Sequence, residues 1–277
     1  MLKNTKTPYK SKVPFLKWAG GKRKIIDKIK ALLPEGQRLI EPFCGSATVF
    51  LNTDYSKNLI ADTNKDVINI YHHLQQKETT FVEYASQFFI PANNDADKYY
   101  EFRKTFNETD NKQLRAALFL YLNKHGYNGL CRYNSSGGFN VPFGKYKKVS
   151  FPEAYIYEFI EKSNNAEFVN QDFETTMANA KQGDVIYCDP PYVLSNDSNS
   201  SFKYQKNGFS IEQQKKLAEL AEELAKKGIP VLISNHFTDF TKEIYKNSEQ
   251  ITFGVKRTIS CKGNDRQEAS EVLALFK

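Results

Sequence analysis

The sequence has few cysteines and histidines, and neither is arranged for metal or redox chemistry. Cys44, Cys131, Cys188 and Cys261 stand far apart with no C-x-x-C pair, and the four histidines form no H-E-x-x-H. A structural zinc, a catalytic metal or a disulfide framework is therefore not expected, and the thiols should be reduced. No apolar run is long enough to span a bilayer. Met1-Leu-Lys-Asn-Thr-Lys lacks the hydrophobic core of a signal peptide, so a cytoplasmic location is expected. There is no internal repeat and no coiled-coil heptad. The full G-x-G-x-x-G pattern is missing, which counts against NAD.

What is present is a 277-residue chain, long enough for one large domain or a main domain with an insert. Aromatic residues are plentiful at 14%, and 39 Lys and Arg against 32 Asp and Glu leave a formal charge of +7. That balance points weakly to a polyanionic partner.

Met1–Lys12 is polar and lysine-rich and reads as a mobile arm. From Lys22, Ile25, Ile26, Ile29, Leu32 and Leu33 recur at helical spacing until Pro34 and Gly36. Arg38–Glu41 and Lys57–Asp62 read as strands, and E-P-F-C-G-S-A-T-V-F between them as a strand-to-helix turn, the start of a β-α-β unit. From Lys65 to Lys124 the apolar spacing is helical throughout, with Val67, Ile70, Tyr71 and Leu74 on one face. Tyr99, Phe102 and Phe106, then Leu114, Leu118, Tyr121 and Leu122, mark others. Gly126–Lys148 alternates aromatic and polar residues around Ser135-Ser-Gly-Gly138, which predicts a hairpin. After Pro152 the α/β rhythm returns. Asp184–Cys188 reads as a buried strand, Ser195–Asn207 as a flexible lid-like loop, and Ser210 with Gln213 as a capping box for the next helix. Val231–Asn235 is a further strand. Ile251–Arg257 and Glu271–Phe276 form a final pair around the charged loop Cys261–Ser270.

Four segments carry candidate chemistry. Asp189-Pro190-Pro191-Tyr192 follows a hydrophobic strand, and in open α/β sheets ligands bind beyond the carboxyl ends of strands. An exocyclic adenine amine is a poor nucleophile because its lone pair is delocalised. Asp189 and the Pro190 carbonyl can accept its two hydrogens, and the prolines hold the acceptors still. Tyr192 offers a ring on which an extruded base can stack. A proline-rich turn with an incidental tyrosine is the plain alternative. In Glu41-Pro-Phe43-Cys-Gly45-Ser-Ala, small residues let the backbone approach a nucleotide-like cofactor, and Asp62 is placed for ribose hydroxyls; a structural glycine turn is the alternative. Phe15-Leu-Lys17-Trp18-Ala-Gly-Gly-Lys22 opens the first helix, where Lys22 can pair with a carboxylate and Trp18 can cover an adenine. A core tryptophan and a solvated lysine are the alternative. Finally, Tyr127-Asn128-Gly-Leu130-Cys-Arg132-Tyr-Asn and Phe139-Asn-Val-Pro142-Phe-Gly-Lys145-Tyr-Lys147-Lys148 interleave bases, amides and aromatics. That mixture suits groove reading, with Arg132 matched to a guanine edge and Lys145, Lys147 and Lys148 to phosphates. A surface hairpin with solvated lysines is the alternative.

Taken in order, these segments resemble the Dam-type DNA adenine methyltransferases that recognise GATC. The likeness runs through F-L-K-W-A-G-G-K, E-P-F-C-G, L-I-A-D-T-N, G-Y-N-G-L-C-R-Y-N, F-N-V-P-F-G-K-Y, Y-C-D-P-P-Y, V-L-I-S-N-H and E-V-L-A-L-F, from Phe15 to Phe276. It implies a Rossmann-like methyltransferase fold in residues 1–64 and 153–277, interrupted by a helical DNA-recognition insert over 65–152 whose hairpin covers about 126–148. It implies S-adenosyl-L-methionine as cofactor, S-adenosyl-L-homocysteine as product, no metal, and double-stranded DNA containing GATC as partner. The expected reaction is direct methyl transfer to N6 of an adenine flipped out of the duplex, in a bacterial or phage-encoded protein.

By matching position, Trp18, Lys22, Phe43, Gly45, Asp62 and Asp189 are similar to the family's cofactor-contacting residues. Lys17, Leu130, Arg132 and Pro142 fall where it reads bases. Tyr127 and Asn128 fall where it enters the stack, and Asp189, Pro190 and Tyr192 fall at the flipped adenine. Two departures stand out. Phe43-Cys-Gly45-Ser-Ala47 has alanine in place of the last glycine of F-x-G-x-G, and Lys145 replaces an arginine, so a point charge replaces a fork. An RNA or protein-amide methyltransferase on the same core, and a catalytically silent DNA-binding relative, are the competing readings. The basic Arg132 segment weighs against the first, and the intact Lys22 and D-P-P-Y against the second.

Overall fold

A computed structural model of the chain describes residues 11–192, 209–255 and 269–277. Most of the expected N-terminal arm, the loop Ser195–Asn207 and most of Cys261–Ser270 lie outside the described residues. The chain divides into two compact units. One comprises Met1–Lys28, Gly45–Asp54 and Asn64–Ala166; the other comprises Ile29–Cys44, Tyr55–Thr63 and Glu167–Lys277. The α-helices are α1 (Ile26–Leu32), α2 (Thr48–Asn52), α3 (Lys65–Ser86), α4 (Ala96–Glu108), α5 (Lys112–His125), α6 (Glu153–Ser163), α7 (Phe173–Ala178), α8 (Ile211–Lys226) and α9 (Asp239–Ile244). The strands are β1 (Arg38–Glu41), β2 (Lys57–Ala61), β3 (Ala166–Val169), β4 (Asp184–Cys188), β5 (Val231–His236), β6 (Glu249–Val255) and β7 (Ala269–Phe276).

The seven strands form one sheet in the order β3-β2-β1-β4-β5-β7-β6. β1 runs parallel to β2 and β4, and β4 parallel to β5, whereas β7 is antiparallel to both β5 and β6. The fold is thus Rossmann-like, with an antiparallel pair closing one side. The chain moves outward from β1 to β2 and β3, then returns to place β4 on the other flank of β1. That reversal makes the carboxyl ends of β1 and β4 the switch point of the sheet, the place where such sheets bind ligands. Every residue of β4 is buried, as expected for a parallel strand covered on both faces. At its start, Arg38 holds Asp184 through two parallel bonds, Nε to Oδ1 at 2.9 Å and Nη2 to Oδ2 at 2.5 Å. This pair fixes the relative register of β1 and β4. The capping box of Ser210 and Gln213 is formed. Leu217, Ala221 and Leu224 of α8 pack with Ile186, Ile233, Val272 and Phe276 in one apolar cluster.

The other unit is helical apart from its loops. Val67, Ile70, Tyr71 and Leu74 form the buried face of α3, as their spacing predicts. Tyr71 stacks on Phe159 of α6 with ring centres 4.7 Å apart, and Phe15 meets both edge-on. The first turn after Gly21 is a 3-10 turn, Lys22–Ile25, rather than α-helix.

The segment Gly126–Lys148 holds two isolated antiparallel bridges, Gly126 to Phe143 and Tyr133 to Phe139. Backbone bonds cross it from the Asn134 amide to the Gly138 carbonyl at 2.8 Å, from the Asn140 amide to the Arg132 carbonyl at 3.1 Å, and from the Tyr127 amide to the Pro142 carbonyl at 2.8 Å. Side chains from α4 bind further backbone groups of the segment. Tyr99 Oη and Arg103 Nη1 both donate to the Val141 carbonyl at 3.0 Å. Asn107 accepts from the Phe139 amide at 2.8 Å and donates to its carbonyl at 3.2 Å.

A buried charge cluster anchors the same segment to the helices. Asp66, 2% exposed, accepts from Arg115 Nε at 2.6 Å and Nη2 at 3.1 Å, and from Tyr133 Oη at 2.7 Å. Removing one partner of such a cluster strands a charge in the interior. Asp66→Ala should therefore lower the unfolding free energy by about 3–5 kcal/mol in urea denaturation; a loss below about 1 kcal/mol would mean that Arg115 finds water instead.

Candidate functional site

Asp62 and Asp189 follow directly on β2 and β4, and Phe43 follows β1 after Pro42, at the carboxyl ends of three neighbouring parallel strands. Phe43 stacks on Phe173 at 5.5 Å and meets Phe209 edge-on at 5.4 Å. The Asp62 carbonyl accepts from Asn170 Nδ2 at 2.8 Å, and the Cys44 thiol lies 4.0 Å from the Asp62 carboxylate. Burial, then the charges of Asp62 and Glu41, push the Cys44 thiol up, so it stays protonated and unreactive.

Asp189 is held by its neighbours on β4 and β5. Ser234 Oγ donates to Asp189 Oδ1 at 3.0 Å, and the Tyr187 hydroxyl lies 3.0 Å from the same Ser234 oxygen. A serine has one proton to give. With that proton on Asp189, Tyr187 donates to Ser234 in turn. Burial and the Asp189 charge both raise the Tyr187 pKa, which keeps it a donor. The Tyr192 ring sits 4.2 Å from the His236 ring, and burial followed by Asp189 raises its hydroxyl pKa as well. The Pro191 carbonyl accepts from Gln214 Nε2 at 3.0 Å.

In the helical unit, Lys22 is only 5% exposed and its Nζ donates to the Gly20 carbonyl at 2.7 Å. That excludes the reading of a solvated lysine. Trp18 packs where a side chain at Gly45 would be: a Cβ there would lie 2.5 Å from the indole Nε1. Ala47 has a left-handed φ of 55°. The turn therefore keeps a glycine-like backbone even though the residue is alanine, at a cost of about 1–2 kcal/mol.

Lys17 is locked at both ends. Its amide donates to Asn123 Oδ1 at 2.9 Å, and its carbonyl accepts from Asn123 Nδ2 at 2.8 Å. Its Nζ donates to the Lys124 carbonyl at 3.1 Å and sits 4.2 Å from the centre of the Tyr146 ring. Burial lowers the pKa of Lys17, and burial with the Lys17 charge lowers Lys124 to about 8. Tyr127 is 51% exposed, and Asn128 beside it has a left-handed φ of 53°. Arg132 is exposed, and its guanidinium is oriented by Asn140, from Nε to Oδ1 at 2.8 Å and from Nη2 to the carbonyl at 3.1 Å. Pro142, Lys145, Lys147 and Lys148 are exposed and Leu130 is half-buried.

Residues 18–259 match the profile of the D12 class N6 adenine-specific DNA methyltransferases. The chain belongs to that family. It is 48% identical over 263 residues to the DNA adenine methylase of Escherichia coli (strain K12), covering 95% of each chain. It is 47% identical over 264 residues to that of Serratia marcescens, covering 95% of this chain and 98% of the relative. The corresponding figures for Vibrio cholerae (strain El Tor Inaba N16961) are 45% over 263 residues and 95% of each chain. Among solved structures it is similar to precorrin 8W decarboxylase of Methanobacterium thermoautotrophicum, with a TM-score of 0.39, 9% identity, and 96% and 95% of the two chains covered.

The D12 methyltransferase carries several site-shaping residues that its motifs did not single out: Ser234 and Asn235 on β5, Gln214 on α8, and Asn107, Asn123 and Asn140 around the basic segment. A signal existed on β5, where Ser234 and Asn235 interrupt an apolar strand. The asparagines carried none, because Asn107 and Asn123 lie on helices α4 and α5, where a single polar residue is ordinary, and Asn140 lies in a loop. Gly129 links the motif to the geometry. It has a φ of +62°, and a Cβ there would lie 2.3 Å from Lys17 Cβ. Gly129→Ala should cost about 1–3 kcal/mol from overpacking on top of about 1–2 kcal/mol for the left-handed backbone. A loss of under about 1 kcal/mol in urea denaturation would show that Lys17 is not held against this turn.

Proposed function

We propose that this DNA adenine methyltransferase acts on GATC in duplex DNA with S-adenosyl-L-methionine, on an adenine flipped out of the helix. The observation that carries the chemistry is the placement of Asp189-Pro-Pro-Tyr192 directly after β4, with the carboxylate already oriented by Ser234 at 3.0 Å. The donor set suits the cofactor: the carboxylate of Asp62 matches ribose hydroxyls, and the aromatic face of Phe43 matches a nucleobase. When bound, the cofactor supplies an electrophilic methyl group.

The chain supplies the rest. Asp189 and the Pro190 carbonyl accept the two hydrogens of the adenine amine, drawing electron density onto its nitrogen. Because Ser234 orients the carboxylate beforehand, little reorganisation remains at the moment of transfer. Asp189 acts as an acceptor rather than a strong base, since the proton can leave after the methyl arrives. Tyr192 stacks on the flipped base. Trp18, Lys22, Phe43, Gly45, Asp62 and Asp189 form the cofactor side. Lys17, Leu130, Arg132 and Pro142 read the target, Tyr127 and Asn128 enter the stack, and Lys145, Lys147 and Lys148 neutralise phosphates. Asn140 uses one of Arg132's Nη2 donors and its Nε donor, leaving a free edge for guanine O6 and N7. Residues 65–152 serve as the recognition insert within the catalytic fold.

Expression in a host without GATC methylation, followed by sequencing of modified bases, should find N6-methyladenine within GATC. Modification confined to cytosine, or to adenine in another sequence, would refute the assignment. Base reading and charge attraction separate by mutation. Arg132→Ala should cost about 1–3 kcal/mol on GATC and little on DNA already altered at the guanine it reads. Lys147→Ala and Lys148→Ala should weaken both substrates about equally and flatten the salt dependence. Equal slowing of every substrate by Arg132→Ala would make it a backbone anchor instead.

A further inference from the structure

We infer that Gln214 is a positioning residue for methyl transfer: its side-chain amide fixes the Pro191 carbonyl and, through it, the backbone that presents Asp189 and Pro190. The inference rests on the reading of Asp189-Pro-Pro-Tyr192 as the group that grips the adenine amine. Gln214 lies in the first turns of α8, 1% exposed, with Nε2 donating to the Pro191 carbonyl at 3.0 Å. Its Oε1 accepts from Asn235 Nδ2 at 3.0 Å and from Tyr245 Oη at 3.4 Å. Asn235 Nδ2 also donates to Tyr245 Oη at 3.0 Å, and Asn235 Oδ1 accepts from the His236 amide at 2.8 Å. Two donors converge on Oε1, so the amide has one sense. Turning it over would set Oε1 against the Pro191 carbonyl and Nε2 against the Asn235 amino group.

Asn235 is 2% exposed and Tyr245 0%, so three polar side chains are buried together in a region that apolar packing alone would fill. Burying them is costly unless every bond is made, and the bond by which Gln214 leaves the cluster is the one to Pro191. Proline locks φ, so rotation about ψ is the freedom left at Pro190 and Pro191. Ser234 holds the Asp189 end and Gln214 holds the Pro191 end. Between the two anchors, the Pro190 carbonyl keeps one direction.

The test uses the full chain with a GATC duplex and the methyl donor. Gln214→Leu removes the donor and should lower kcat by about 10- to 100-fold, the scale of a misplaced reacting group. Duplex Kd should stay within about twofold, because Gln214, Asn235 and Tyr245 are not among the residues assigned to DNA in the proposed arrangement. Gln214→Glu adds a signature that loss of packing does not produce. Its neutral carboxyl can donate to the Pro191 carbonyl and its carboxylate cannot, so the ratio of its kcat to wild type should fall as pH rises, while that of Gln214→Leu stays level. Tyr245→Phe, which keeps the ring, should give a smaller loss in kcat. If Gln214→Leu does not fold, the pH profile of Gln214→Glu and the Tyr245→Phe value carry the test. A wild-type kcat in Gln214→Leu, a pH-independent ratio in Gln214→Glu, or a loss confined to KM would overturn the inference. Asp189→Ala runs alongside. A loss of at least about 100-fold there with unaffected Gln214 variants refutes the positioning role alone, whereas full turnover in Asp189→Ala refutes the reading of the site itself.

Discussion

A carbonyl outside a ladder or helix still needs a donor, and much of this protein follows from that constraint. The segments with the most distinctive sequence, Tyr127–Lys148 and Asp189–Tyr192, lie largely outside regular secondary structure. Their half-buried backbone groups would be costly to leave unpaired. Side chains from elsewhere in the chain add to the few backbone bonds within them: Tyr99, Arg103 and Asn107 on Phe139–Val141, Asn94 on Tyr146, and Gln214 on Pro191. Each is a bond between groups distant in sequence. Each holds a loop in one conformation without making it a strand, which leaves its outward face free.

The same economy governs charge. Asp66 is matched by Arg115, and Asp184 by Arg38, both through paired bonds. Asp189 accepts from the neutral hydroxyl of Ser234, which orients its carboxylate on the sheet.

The catalytic sheet was legible because parallel strands buried on both faces read as apolar runs, and because Asp62 and Asp189 mark strand ends with an abrupt change to polar residues. Lys57–Ala61, Asp184–Cys188 and the final strand pair all lie where the sequence predicts. The helical faces of α3 and α4 were legible from periodicity, whereas α5 is buried all round from Ala116 to Asn123. β3 and α7 were not anticipated as separate elements: β3 is an edge strand with one buried residue and so lacks the apolar run that marks β1, and α7 has only six residues. In Gly126–Lys148 the alternation is real, but the side chains that brace the segment, Tyr99, Arg103 and Asn107, sit on α4, far away in sequence. The supports of the site were hidden likewise. Gln214 looks like any polar residue of an amphipathic helix until the fold turns it toward Pro191.

The most direct measurement is a crystal structure of the protein with a GATC duplex and S-adenosyl-L-homocysteine. The adenine is expected outside the helix, with its amine nitrogen within hydrogen-bond reach of both the Asp189 carboxylate and the Pro190 carbonyl, its ring on Tyr192, and Gln214 still on the Pro191 carbonyl. An adenine that remains stacked in the duplex, or an amine facing groups other than Asp189 and Pro190, would contradict this description of the reaction.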